Sequence, residues 1–296
     1  MPKVAAVVIT YNRKTLLEKC IKALLCQSVS CDIIIIDNAS TDGTGEMVRT
    51  IVDPRISYFN TGSNLGGAGG FNYGMRKAVE AGYEYVWLMD DDTIVQPDSL
   101  AHLLVADKKL DGNYGWLSSK ALWTDGSLCL MNQQRTSIYR KFDPMNSGIE
   151  KIQLASFVSL FMKSEIILQH GLPIKDFFIW GDDWEYTRRI SRWHPCYFIP
   201  QSVVTHAMAG NLPNNLANTQ PERIDRFAFL FRNEWVLFRK EGIKGWFYYF
   251  AKCNLNFWRI IFKAPDKKFK RIKSLLKGVY HGLFFWPKIE YINKDK

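Results

Sequence analysis

No apolar run in this chain reaches the roughly 18 residues that crossing a bilayer demands, so no membrane-spanning segment is expected. Histidine is scarce, at five residues. The six cysteines, Cys20, Cys26, Cys31, Cys129, Cys196 and Cys253, form no CxxC and no pair at metal-ligand spacing. That scatter argues against a zinc site and against a disulfide framework, and it suits reduced, cytosolic thiols. Internal repeats, low-complexity tracts and an obvious linker are also missing. The opening Met1-Pro2-Lys3-Val4 leads into an apolar run of about seven residues that turns polar at Thr10-Tyr11-Asn12-Arg13, too early for a secretory leader.

What is present suffices for a buried core: 296 residues, 47% of them hydrophobic, allow one large or two modest domains. The net charge of +10 is unevenly placed. Residues 222–296 carry 18 Lys and Arg against 7 Asp and Glu, a balance of +11, so the first 221 residues sum to −1. The boundary expected from this shift separates a catalytic domain over 1–221 from a basic, aromatic extension over 222–296.

Through the first hundred residues, apolar strands alternate with helical patterns. Val4 to Ile9, Ile33 to Ile36, Ile56 to Phe59 and Tyr85 to Met89 read as strands; Lys14 to Leu25, Thr44 to Val52 and Phe71 to Ala81 read as helices. Such βα alternation predicts an α/β fold, Rossmann-like, with a mostly parallel central sheet flanked by helices and ligands at the carboxyl ends of its strands. Further strands are expected at Gly115 to Leu122, Lys151 to Phe161, Tyr197 to Ile199 and Val203 to Val204. Helices are expected over Ser164 to His170, closed by Gly171, and from Gly181 to about Arg192. The polar stretch Thr124 to Ser147 reads as a hairpin or an excursion over the site.

Polar clusters fall at the strand ends. Asp90-Asp91-Asp92 follows the run Tyr85 to Met89, and carboxylates there offer a hard divalent cation the oxygen ligands it prefers, although acid clusters also occur as solvated turns. Asp37 leaves the second strand where a carboxylate can accept from the edge of a base, while Asp42 can cap a turn. Gly66, Gly67, Gly69 and Gly70 after Asn64 suit a phosphate cradle or a flexible loop before a helix. Asp182, Asp183 and Glu185 cluster at a helix start, which the helix dipole alone favours. Together with Trp180 and Trp184 they also suit a sugar site, in which indoles stack on the ring and one carboxylate takes a hydroxyl proton. A lone histidine such as His206 is more often structural, but a neutral imidazole would complete a mixed oxygen and nitrogen metal shell.

The extension interleaves Phe, Tyr and Trp with Lys and Arg. Nucleic-acid binding would normally bring a helix-turn-helix, RRM or KH signature, and none accompanies it, so no nucleic-acid partner is expected. Interfacial helices at an anionic membrane surface fit better, and helices that pack on the catalytic domain or form a homo-oligomer are compatible with that.

Taken in order, Val-Ile-Thr-Tyr-Asn-Arg, Ile-Ile-Asp-Asn-Ala-Ser-Thr-Asp-Gly-Thr, Asn-Leu-Gly-Gly-Ala-Gly-Gly and Leu-Met-Asp-Asp-Asp-Thr resemble the family 2 glycosyltransferases of the GT-A fold, over about residues 3 to 210. The resemblance implies a donor site with Thr10 and Asn12 beside the nucleoside, Asp37 at the uracil, Asn64 and Gly67 in the glycine motif, and Asp90 and Asp91 at the diphosphate. It implies Mn²⁺ or Mg²⁺ on Asp90, Asp92 and His206. The second half is most similar to bacterial galactofuranosyltransferases, with rhamnosyltransferases close behind. This makes Asp183 the implied catalytic base and Trp180, Asp182, Trp184 and Glu185 the implied acceptor contacts. The implied reaction is inverting transfer from a nucleotide sugar, best UDP-galactofuranose, to a glycan or lipid-linked glycan at the cytoplasmic face of the membrane. A rhamnosyl or other hexosyl transferase and a non-catalytic glycan or lipid binder are the alternatives.

Overall fold

The computed structural model describes residues 2–145, 147–211 and 215–292. Position 146 of the polar excursion and positions 293–296 of the extension lie outside the described residues. In chain order the elements are β1 (Val4–Thr10), α1 (Lys14–Leu25), β2 (Asp32–Asp37), α2 (Thr44–Arg49), β3 (Ile56–Asn60), α3 (Gly66–Glu80), β4 (Tyr85–Asp90) and β5 (Thr93–Val95). There follow α4 (Ser99–Lys109), β6 (Leu117–Leu122), β7 (Arg135–Ser137), β8 (Arg140–Lys141), β9 (Glu150–Lys151), β10 (Leu160–Lys163), α5 (Ser164–His170), α6 (Asp182–Ser191) and β11 (Tyr197–His206). The chain closes with α7 (Phe227–Arg239), α8 (Gly242–Lys263) and α9 (Lys268–Phe284).

The central sheet runs β3-β2-β1-β4-β10-β6-β11-β5, with β9 beside β11. β3, β2, β1 and β4 pair in parallel, as do β6 and β11, while β10, β5 and β9 pair antiparallel. The α/β fold with a mostly parallel sheet is therefore as expected. β1 is buried along its whole length because it is covered on both faces, and its apolar run is continuous for that reason. Val4, Ala6 and Val8 join a core with Leu17, Ile21 and Leu103 from α1 and α4, whereas Ala5, Val7 and Ile9 join one with Phe71, Met75 and Ile190 from α3 and α6.

Two glycines of α3 are explained by packing. A Cβ at Gly74 would lie 2.4 Å from Val7 Cγ1, and one at Gly70 would lie 2.6 Å from Ile9 Cγ2. Their lack of a side chain lets α3 approach β1 and β2 closely. Gly66 to Gly70 are thus the first turns of α3, not a loop ahead of it.

Two expectations change with the fold. Lys151 to Phe161 is not one strand: β9 ends at Lys151, β10 starts at Leu160, and Ser159 at φ 59° turns the chain between them. Tyr197 to His206 is one bulged strand instead of two short ones. α4 and β5 had no expectation attached to them.

The extension is helical, as expected, and the first of its helices is packed into the molecule. Phe227, Phe231, Phe238 and, from α8, Tyr249 are buried in a third core that also takes in Ile138, Leu154 and Leu216. Among the described residues no helix is long and apolar enough to cross a membrane.

Candidate active site

Parallel pairing aligns Ile9 with Asp90 and Thr10 with Asp37, so β1, β2 and β4 deliver their last residues to one edge. The β5–β11 ladder then sets His206 opposite Thr93, one residue past Asp92. Sheet register alone brings together residues 114 apart: His206 Nε2 lies 2.7 Å from Asp92 Oδ1. One ligand atom each from Asp90, Asp92 and His206 lies within 4.8 Å of the others. Two carboxylates and an imidazole form a donor set that suits a divalent cation such as Mn²⁺ or Mg²⁺.

The field at this group already draws positive charge. Arg13 donates to Asp92 Oδ2 and reaches Asp91 Oδ1 at 3.3 Å, although its side chain is half exposed. Burial alone would raise the Asp92 carboxyl, but His206 and Arg13 hold it below the ordinary range. Burial and the charge on Asp92 push Asp90 up to about 6, and burial pushes Asp91 up to about 7 against the pull of Arg13. Burial opposes a charged His206, yet its bonds to Asp92 and Cys129 raise it to about 10, so the ring is an imidazolium at neutral pH. Binding a metal there must displace that proton.

Asn132 was not expected at the site. Its Oδ1 accepts from His206 Nδ1 at 2.6 Å, and its Nδ2 donates to Ser156 Oγ at 2.9 Å. It thereby fixes the ring with Nε2 towards Asp92, a second partner of the kind metal-binding histidines use. Asn132 lies in the polar excursion, where a single asparagine carries no signal in sequence. Arg13 did carry one, as a cation three residues after the β1 strand end.

The second acid cluster opens α6. Asp182 is buried and Asp183 half-buried, and the Trp184 backbone N–H donates to Asp183 Oδ1 at 2.7 Å. Burial raises Asp182 to about 7, with Asp90 adding to the effect, and burial together with the charges of Asp182 and Asp90 raises Asp183 well above the usual carboxylate range. Asp90 acts on both, which sets the two clusters near one another. Among the described residues neither acid has a cationic partner. A carboxylate of raised pKa without a counter-ion is fitted to take a proton.

The approach to α6 is strained. Phe178, Trp180 and Gly181 have φ of 64°, 65° and 83°. For the two aromatic residues such backbone costs about 1–3 kcal/mol each, which the surroundings must offset. Residues held this way are typical of sites where a side chain has to be aimed.

Several expected contacts are differently engaged. Glu185 is buried, with Oε2 on Arg189 at 2.9 Å and Oε1 on Lys240 at 3.0 Å, so it is withdrawn from the acceptor set as a structural anchor. Trp180 packs edge-on against Phe227 at 5.0 Å between ring centres, and the Arg135 guanidinium sits 4.3 Å from the Trp184 ring centre. Both indoles are half-buried and partly spent on protein partners. Thr10 Oγ1 donates to Asp91 Oδ2 at 2.7 Å, and Asn12 Oδ1 accepts from Thr41 N–H at 2.7 Å, so these two shape the strand-end loops. Asp37 is fully buried and accepts from Ser40 N–H at 2.8 Å and from the Tyr58 hydroxyl at 2.6 Å. Its burial, more than these two bonds, keeps it from a base. Asn64 Oδ1 accepts from Gly66 N–H at 2.8 Å and starts α3, while Gly67 faces open space.

Comparison with known proteins matches this picture. Residues 5–115 match the family model for glycosyl transferase family 2. The galactofuranosyltransferase GlfT1 of Mycobacterium tuberculosis is 32% identical over 201 residues, 64% of this chain and 64% of that protein. Its counterpart from Mycolicibacterium smegmatis is 25% identical over 290 residues, 85% of this chain and 91% of that one. The match to the first spans less than two thirds of that relative's length. In fold, a mannosyltransferase from Pyrobaculum calidifontis, solved with GDP-Man and Mn²⁺, superposes with a TM-score of 0.60 over 96% of this chain and 87% of its own, at 18% identity. The fold is GT-A, and the expected likeness to family 2 glycosyltransferases, galactofuranosyltransferases among them, holds.

Proposed function

With a family 2 glycosyl transferase match across its amino-terminal strands as the premise, we propose that this chain is an inverting, metal-dependent glycosyltransferase. What supports the reading is two unlike acid clusters near one another: Asp90, Asp92 and His206 grouped beside Arg13, and Asp183, which has no cationic partner among the described residues. Asp183 takes the proton of an acceptor hydroxyl, and Asp182, at about 7, remains able to hydrogen-bond a second hydroxyl. Asp90, Asp92 and His206 hold Mn²⁺ or Mg²⁺. Such a cation, when bound, supplies Lewis-acid neutralisation of a departing nucleoside diphosphate. Thr10, Asn12 and Gly67 border the donor side, and Trp180 and Trp184 the acceptor side. Glu185 is left out of the set.

The donor we favour is UDP-galactofuranose, supported by the two mycobacterial relatives. The acceptor is a hydroxyl of a lipid-linked or polysaccharide glycan. The test is nucleotide release from UDP-, dTDP- and GDP-sugars, with and without Mn²⁺, on a lipid-linked glycan. The reading expects acceptor-dependent release that is greatest with UDP-galactofuranose and is abolished by chelation. Release from dTDP-rhamnose alone would move the chain to the rhamnosyl class, and donor binding without any release would make it a binder.

The extension provides the place for such an acceptor, because α8 is apolar on two sides. Tyr249, Cys253 and Ile260 face the molecule, whereas Ile243, Phe247, Trp258 and Phe262 form an exposed stripe at helical spacing. Lysines of α9 lie nearby in sequence, and Phe269 and Leu276 continue the exposed apolar surface. An apolar stripe with a +11 balance around it suits the cytoplasmic surface of an anionic membrane. Flotation with phosphatidylglycerol vesicles should capture the parent and lose most of the Phe247→Ser, Trp258→Ser, Phe262→Ser triple variant. Equal capture of both, or a stable dimer dissolved by the triple variant, would contradict this part.

A further inference from the structure

The turn leading into the second acid cluster is gripped from behind by one side chain of α7. Asn233 is fully buried, and its Nδ2 donates to the carbonyl oxygens of Phe177, Ile179 and Trp180 at 3.0, 3.1 and 2.8 Å. An amide nitrogen has two hydrogens, so at least one is shared among the three acceptors. Its orientation is determined by its neighbour: Arg232 Nε donates to Asn233 Oδ1 at 2.9 Å, and a flipped amide would set its oxygen against three carbonyls. Arg232 Nη2 adds bonds to the Asp176 and Phe177 carbonyls at 2.7 and 3.0 Å.

From the front the same turn abuts the amino end of α3. Ala68 N–H donates to the Phe178 carbonyl at 3.2 Å, and a Cβ at Gly66 would lie 2.0 Å from that oxygen. The turn is therefore clamped between the glycine motif on the donor side and α7 behind, and it ends at Asp182 and Asp183. Asn233 is too deeply buried to meet a substrate. Its carbonyl grip spans the residues of positive φ, which would otherwise relax.

We propose that Asn233 is a positioning residue for the transfer reaction. By gathering three carbonyls it sets where Asp183 stands relative to Asp90, Asp92 and His206. The proposal rests on the reading of Asp183 as the base. Asn233→Asp keeps the side-chain shape but removes the N–H donors. In the full-length protein, with the UDP-sugar that gives turnover, kcat is expected to fall about 30- to 100-fold, as for a misplaced catalytic group. Affinity for UDP with Mn²⁺, measured by calorimetry, should stay within about twofold, since a positioning effect acts on the transfer step and not on donor binding. Independently of activity, amide hydrogen exchange should quicken by about tenfold or more across 178–184 and stay parental across 85–95, as expected of local opening.

Parental kcat, unchanged exchange in 178–184, or an equal fall in kcat and UDP affinity would each overturn the proposal. Asn233→Ser, smaller and still able to donate one bond, is measured by the same criteria if the aspartate variant does not fold. Asp183→Asn is run alongside. If it is inactive while Asn233→Asp is parental, only the positioning claim fails; if Asp183→Asn is active, the base reading itself fails.

Discussion

The two acid clusters use the same residue type and are built in opposite ways. Asp90 to Asp92 are placed by sheet register, β1 beside β4 and β5 beside β11, and they stand against Arg13 and His206. Asp182 and Asp183 are placed by a strained turn and by the carboxy-terminal helices. Asn233 holds the turn, Lys240 pairs with Glu185, and Glu241 pairs with Arg188 of α6 and with Arg192 just past its end. In the first cluster His206 and Arg13 hold Asp92 below the ordinary carboxylate range, although burial raises Asp90 and Asp91. In the second, where among the described residues neither acid has a cationic partner, both carboxyls are raised. The same side chain thus has different properties at the two places, because its surroundings set its charge.

The hardest way to break the comparison is to neutralise one member. Asp183→Asn should lower nucleotide release by about 10²–10⁴-fold, the usual contribution of a general base, with UDP and Mn²⁺ binding retained. Parental turnover would remove the distinction between the clusters. Asn132→Ala frees the His206 ring and should weaken Mn²⁺ binding by about 10- to 100-fold, as loss of an outer partner does; calorimetry with Mn²⁺ reads it.

The second cluster's dependence on the extension can be sharpened by pH. Burial works to raise the Glu241 carboxyl, but Arg188 and Arg192 hold it below its ordinary 4.5. Its folded pKa is depressed, so its contribution to stability is present above about 4.5 and fades as pH falls through the lower folded value. Glu241→Gln should cost about 2 kcal/mol at pH 7, the worth of charged hydrogen bonds, and the gap to the parent should narrow below pH 4.5 in denaturant melts. A gap of equal size at both pH values would show that the ion pairs are not what joins α6 to the helices. The smallest effect concerns the half-exposed Arg13: Arg13→Ala should tighten binding of Mn²⁺ alone by about threefold, because a surface ion pair contributes under 1 kcal/mol.

The parallel sheet was legible because β1, β2 and β4 are continuous β-branched and apolar runs ending in polar residues. The metal group was half legible. Asp90 and Asp92 follow such a run, but the pairing of His206 with Asp92 depends on the three-residue β5, too short to register in a sequence pattern. α4 went unread because its apolar residues run together from Leu103 to Ala106 instead of recurring along one face. The glycine motif was legible only in part, since Gly70 serves close helix–sheet contact, which looks the same in sequence as a phosphate loop. Glu185 looked like a ligand because nothing local shows that Lys240, 55 residues away, will claim it.

The most direct test is Mn²⁺ binding, followed by electron paramagnetic resonance, in the parent, Asp92→Asn and Asp183→Asn proteins. A division of labour between the clusters predicts that Asp183→Asn binds the ion like the parent, while Asp92→Asn binds it at least about tenfold more weakly, as removal of a direct ligand implies. Loss of the ion in Asp183→Asn, or parental binding in Asp92→Asn, would contradict it.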